Sequence, residues 1–162
     1  MIHHYSVAQH CVEVSRRMAV RRVRRDVVES ERMLRLAGLL HDFSEGLGFG
    51  DIVGPVKRAL GAAPKVIERE IERHVANYFG LPMYILEHDA VKRADRACLH
   101  LEQTCLRRHG RNAGTDDELA RDLPDGDWAT PIRPLDQGDA FRAFLGELTK
   151  LTGVVYDGGW HP

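Results

Sequence analysis

Apolar residues recur at three- and four-residue spacing along almost the whole chain, and no run of alternating β-branched residues interrupts them. That period belongs to helices that bury one face, so it argues against a sheet-based core and for an all-α fold. Start and stop signals divide the pattern. Ser6 with Gln9 reads as a capping box opening a helix whose inward face is Val7, Cys11, Val14 and Met18. A second helix is expected from about Ser30 to Asp42, with Met33, Leu36, Ala37 and Leu40 inward, ended by the glycines of "GLGFGD". Pro55 and Pro64 suit the first turns of two further helices. The second of these carries Val66, Ile67, Ile71 and Val75 as its stripe and stops at "FGLP". One long helix is expected from Tyr84 to His109, stopped by Gly110. Residues 111 to 135 are polar and rich in Asp, Gly and Pro, which predicts a long surface loop. A terminal helix over about 139–152 presents Phe141, Phe144, Leu145, Leu148 and Leu151. The expected architecture is a single domain over residues 1–162, an all-α bundle of five to seven helices.

Bulk properties narrow the function classes. A chain of 162 residues suffices for one sizeable core. Its formal net charge of −1 gives no global bias toward nucleic acid. No apolar run approaches the roughly 20 residues of a membrane span, and "MIHHYSVAQH" lacks the apolar core of a signal peptide. Cys11, Cys98 and Cys105 form an odd set without close pairs, which points to reduced thiols and a cytoplasmic setting. The arginine cluster from Arg16 to Arg25 is followed by Asp26, Glu29 and Glu31 and has no interleaved aromatic residues. It reads as a solvated helix and turn, with Arg16 or Arg17 near enough to His10 to reach a phosphate.

The chemistry concentrates in "LAGLLHDFSEGLGFGD", residues 36–51. A markedly apolar helix ends there in His41-Asp42, with Glu45 and Asp51 close behind, and an unpaired carboxylate in apolar surroundings is costly. A second pair, His88-Asp89, lies among Glu87 and Lys92 and reads as a solvated face. His10 sits beside the apolar face of the first helix, and Asp95 shares a helix face with Val91, Cys98 and Leu99. A lone inward His or Asp is more often a satisfied core residue than a ligand. Three helices each offering one is a stronger pattern. Two imidazoles and two carboxylates suit one divalent ion of the manganese, cobalt, iron(II) or magnesium kind better than structural zinc.

Taken in order, "YSVAQHCVEVSRR", "LLHDFSEGLGFGDIVGPVKRAL" and "VKRAD" resemble the motifs of HD-domain phosphohydrolases, in particular the branch of bacterial 5′-deoxynucleotidases and phage dATP triphosphohydrolases. The likeness covers about residues 5 to 105. It implies His10, His41, Asp42 and Asp95 as metal ligands and Glu45 and Asp51 as catalytic carboxylates. It puts Lys57 and Lys92 where relatives bind substrate phosphate, with Arg93 adjacent. The stretch from Glu45 to Asp51 is one residue longer than in the deoxynucleotidases. Relatives also carry an Arg and an aromatic residue ahead of "YSVAQH", where only Met1 to His4 stand here. The base-recognising wall is then expected to be absent, supplied by a partner subunit, or lost to a late start.

The resemblance implies metal-dependent hydrolysis of phosphate from a (deoxy)nucleotide, by a 5′-deoxynucleotidase or a dNTP triphosphohydrolase. The implied partners are a small-molecule nucleotide and further copies of the chain, a homodimer or larger ring, with no nucleic acid or membrane. The competing expectation is a non-catalytic HD module that binds nucleotide as a sensor or oligomer partner. Glu45 and Asp51 speak against it, because binding alone needs no water-activating carboxylate.

Overall fold

The computed structural model describes residues 5–18, 25–46, 54–106 and 127–156. In chain order the helices are α1 (Val7–Arg17), α2 (Arg25–Leu40), α3 (Gly54–Ala59), α4 (Ala63–Phe79), α5 (Met83–Leu86), α6 (Asp89–Leu106) and α7 (Gln137–Thr152). There is no strand among the described residues, so the fold is all-α. None of these helices is long and apolar enough to cross a membrane.

Helix α1 begins where the capping signal lies: the Ser6 hydroxyl accepts the backbone N–H of Gln9 at 3.2 Å. It packs against α2, α6 and α7, and α2 packs in turn against α5, α6 and α7. The shared core takes Cys11, Val12 and Val14 from α1 and Leu36, Ala37, Leu39 and Leu40 from α2. Val91, Ala94 and Cys98 of α6 and Leu148 and Leu151 of α7 complete it.

Polar anchors fix the surroundings. The carboxylate of Glu147 on α7 is buried and accepts from Arg16 Nε at 3.0 Å and Arg35 Nη2 at 2.8 Å, joining three helices. The side chain of Gln9 donates to the Arg133 carbonyl at 2.8 Å and accepts the Leu135 N–H at 2.9 Å. Arg17 bonds Glu13 through Nε and donates through Nη1 to the carbonyls of Asp127 and Thr130. Arg16 and Arg17 thus hold protein partners, Glu147 and Glu13.

Several boundaries differ from the sequence expectation. The long helix expected from Tyr84 divides at Glu87 and His88 into α5 and α6. There the imidazole Nδ1 of His88 accepts the backbone N–H of Ala90 at 3.1 Å, and its carbonyl accepts from Val91 and Lys92, so His88 starts a new helix. The expected end at His109 and most of the polar loop lie outside the described residues; segment 127–136 is non-helical. Helix α2 starts five residues earlier than Ser30 and ends at Leu40, leaving His41 and Asp42 in the turn beyond it. In α4 only the second half of the stripe is inward: Val75 is buried, while Val66 and Ile67 are exposed, because the core it meets lies at its C-terminal end around α5. Gly80 closes α4 in the left-handed conformation, φ 65°, with its N–H on the carbonyls of Ala76 and Asn77. In α7, Leu148 and Leu151 are buried but Phe141 is half exposed.

Candidate metal centre

Three elements meet at one point. Helix α1 contributes His10, which is buried although polar. The turn after α2 contributes His41 and Asp42. Helix α6 contributes Asp95, Cys98 and Glu102, which share a face by three- and four-residue spacing. The imidazole rings of His10 and His41 lie with centroids 5.3 Å apart. His10 Nε2 is 3.2 Å from Asp95 Oδ1 and 3.7 Å from Asp42 Oδ2. His41 Nε2 is 3.4 Å from Asp42 Oδ2 and 3.7 Å from Asp95 Oδ1. The structure therefore brings together His10, His41, Asp42 and Asp95, the four residues singled out in the sequence.

Hydrogen bonds behind the imidazoles decide which nitrogen faces this cluster. Nδ1 of His41 donates to the carbonyl of Gly38 at 2.8 Å, and Nδ1 of His10 donates to Glu102 Oε1 at 2.6 Å. The Nδ1–H tautomer assigned by these acceptors leaves each Nε2 with its lone pair turned toward the two aspartates. Nε2 of His41 is buried and has no hydrogen-bond partner. Lone pairs facing carboxylate oxygens at such distances repel unless a cation or a proton stands between them.

The spacing fits a cation. Two ligand atoms each about 2.1 Å from one ion lie about 3.0 Å apart at a right angle and about 3.4 Å apart at the tetrahedral angle. The separations of 3.2 to 3.7 Å across this cluster are close to those values. The ligand atoms of His10, His41 and Asp95 all lie within 4.8 Å of one another, so this group can hold a metal ion. His10, Cys98 and Glu102 form a second close set. Its 2.6 Å nitrogen–oxygen contact is a hydrogen bond, too short for two ligands of one ion. Burial pushes the Cys98 thiol up to about 11, so it remains a neutral donor to Glu102, at 3.3 Å.

When no cation is bound, protons serve the same cluster. Burial pulls His10 down, but Asp95, Cys98 and Glu102 outweigh it and hold the imidazole far above its ordinary value. His41 behaves alike: burial lowers it, Asp95, Cys11 and Asp42 raise it, and the balance lies at about 10. Burial raises the Asp95 carboxyl, yet its contact with His10 and the charge of the neighbouring His41 imidazole hold it well below the usual carboxylate range.

A cavity of about 180 Å³ opens beside the cluster, with Tyr5, Val7 and Leu99 on its apolar side and His10, Asp42, Glu45 and Glu102 on its polar side. Glu45 stands one turn past Asp42, its N–H on the Asp42 carbonyl at 3.0 Å. A larger hollow of about 420 Å³ along α4 is lined by Lys65, Glu68, Arg69, Glu72 and Glu87 and contains none of the expected ligands. Asp51 lies outside the described residues. Lys57 pairs with Glu68 at 3.1 Å, and Lys92 is exposed on α6 one turn before Asp95; neither lines the 180 Å³ cavity.

Glu102 and Tyr5 are the members of this site that sequence reasoning missed. Glu102 continues the face of Asp95 and Cys98 by one more turn, a signal available in the spacing, but a charged residue on a long helix reads by default as solvated. The Tyr5 hydroxyl is buried, and burial together with the Glu102 charge raises its pKa far above the ordinary value. Comparison of the chain with family models, with curated proteins and with solved structures gives no match.

Proposed function

We propose that this chain is a metal-dependent phosphohydrolase of the HD type that removes phosphate from a (deoxy)nucleotide, as a 5′-deoxynucleotidase or a dNTP triphosphohydrolase. The observation that carries the reading is the close set of His10, His41 and Asp95 ligand atoms, with Asp42 Oδ2 within 3.7 Å of both imidazoles, beside a cavity that also holds Glu45. The motif order adds to it. A mixed nitrogen and oxygen donor set of this kind favours manganese, cobalt, iron(II) or magnesium.

A divalent ion bound there lowers the pKa of a water and offsets the charge of a phosphoryl oxygen. The remaining work falls to the chain. Glu45 orients the attacking water and accepts its proton, since a carboxylate one turn beyond Asp42 faces the same cavity. Asp51 assists that water or the leaving oxygen. Lys57 and Lys92 act as point charges on phosphate oxygens. Lys57 must then exchange its contact with Glu68 for the substrate.

The test is a panel of deoxynucleoside mono- and triphosphates incubated with purified protein and manganese, cobalt or magnesium. Phosphate or triphosphate release that a chelator abolishes is the expected result. Nucleotide binding without release would leave the sensor module, and neither binding nor metal uptake would sink both readings. We further propose a homo-oligomer, supported by the exposed Val66, Ile67 and Tyr78 of α4 and Phe141 of α7. Light scattering should return a multiple of 18.3 kDa; a monomer that is fully active would overturn it.

A further inference from the structure

We infer that Glu102 is a positioning residue for the metal centre: it takes the Nδ1–H of His10 and thereby aims that imidazole's Nε2 lone pair at Asp95 and His41. The inference rests on the metal-site reading above and goes beyond it, because Glu102 belongs to none of the motifs. Four observations carry it. The contact between Glu102 Oε1 and His10 Nδ1 is 2.6 Å, short even for a hydrogen bond with a charged acceptor. Both side chains are largely out of water, 12% exposed for Glu102 and 7% for His10, so the bond is little screened. The same carboxylate oxygen accepts from the Cys98 thiol at 3.3 Å, and Cys98 is fully buried, so the Glu102 rotamer is itself held. Finally, Glu102 stands two turns beyond Asp95 on α6, so one rigid helix carries both a ligand and the group that orients the opposing ligand.

A ligand role for Glu102 fails on the chemistry of imidazole. A neutral ring has one lone pair and can serve only one of the two clusters that meet at His10. On the Nε2 side stand Asp95 Oδ1 at 3.2 Å, Asp42 Oδ2 at 3.7 Å and the buried Nε2 of His41, a donor set for a cation, whereas on the Nδ1 side the 2.6 Å contact with Glu102 Oε1 is the shorter hydrogen bond. The lone pair therefore belongs on the Nε2 side and the proton beside Glu102. Gly38 performs the same service for His41 through a neutral carbonyl, so Glu102 is the one of the two that adds negative charge behind a ligand.

The experiment compares zinc affinity, measured by competition with a chelator, in the wild-type chain and in Glu102→Gln, Glu102→Leu and a control, Glu87→Gln, at an exposed carboxylate. Glu102→Gln keeps an acceptor and loses the charge; it should weaken zinc binding about 10-fold. Glu102→Leu loses both and should weaken it toward 100-fold. Glu87→Gln should change nothing. A role in folding alone would instead move the melting temperature and leave the order of affinities flat. Should the Glu102 variants fail to fold, long-range proton–nitrogen NMR of the zinc-loaded wild type decides, with Nδ1 of His10 protonated and Nε2 metallated as the expected state. Zinc on Nδ1, or both variants within twofold of wild type, would overturn the inference alone. A wild-type chain that takes up none of zinc, manganese, cobalt or iron(II) would overturn the metal-site reading with it.

Discussion

At the residue scale, the centre depends on which atoms lie behind His10 and His41 as much as on the four that face each other. The Gly38 carbonyl and Glu102 each hold a proton on Nδ1, and that leaves two Nε2 atoms for the aspartates. Asp42→Ala deletes one of four donors, so metal content by elemental analysis and phosphate release should vanish together. Glu45→Ala removes a group beside the cluster and not one of its donors. It should keep the metal while turnover falls about 100- to 10,000-fold. Loss of metal from Glu45→Ala equal to that from Asp42→Ala would contradict this division of roles. A pH dependence follows as well. With no cation bound, His41 lies at about 10, above its unfolded value of about 6.5. Its contribution to stability is therefore complete below about pH 6.5 and is lost as pH rises toward 10. Asp95 is shifted the other way, so its contribution is present above about pH 4 and is lost as pH falls further. Urea denaturation of chelator-treated protein should show stability falling between pH 7 and 10, and added metal, which replaces those protons, should flatten the fall. A flat profile without metal would show that His41 is not paired in this way.

At the element scale, the approach of α1 to α2 sets where His10 meets His41. Gly38 sits at that crossing. A Cβ there would stand 2.9 Å from Met18 Sδ and 3.3 Å from Val14 Cγ1, both on the α1 side. The Met18 side chain can give, but the β-branched Val14 is buried and stiff. Gly38→Ala should cost about 1–3 kcal/mol through overpacking. For a chain of this size that corresponds to a melting temperature lower by roughly 2–4 °C per kcal/mol. The same change displaces the carbonyl that holds His41, so metal affinity should fall beside the melting temperature. Unchanged values of both would mean that the crossing has slack the packing does not suggest.

On the scale of the whole molecule, one buried carboxylate ties the bundle together. Glu147 of α7 receives Arg16 of α1 and Arg35 of α2, and its side chain is 3% exposed. Removing one partner of a buried pair leaves an uncompensated charge, here chiefly on Arg35, which is 19% exposed. Glu147→Ala should destabilise the fold by about 3 kcal/mol, read from the urea midpoint at constant slope. A midpoint within experimental error of wild type would show that water takes over the arginines.

The all-α class, the capped start of α1 at Ser6, the starts of α3 and α4 at Pro55 and Pro64 and the stop of α4 at Gly80 are properties of the sequence by itself. They rest on interactions between residues three or four apart, which the order of residues states directly. His10, His41, Asp42 and Asp95 stand out for the same reason, as polar residues on or beside apolar faces. Periodicity says which residues share a face; it does not say what that face meets. Only the tertiary structure decides that Val66 and Ile67 stay exposed, since α4 touches the core near α5 and not along its length. The division of the helix at His88 is decided there too, by a side chain that caps its own backbone. Glu102 is the clearest case. Its spacing from Asp95 is local, but its bond to His10 joins residues 92 positions apart and exists because α1 lies against α6.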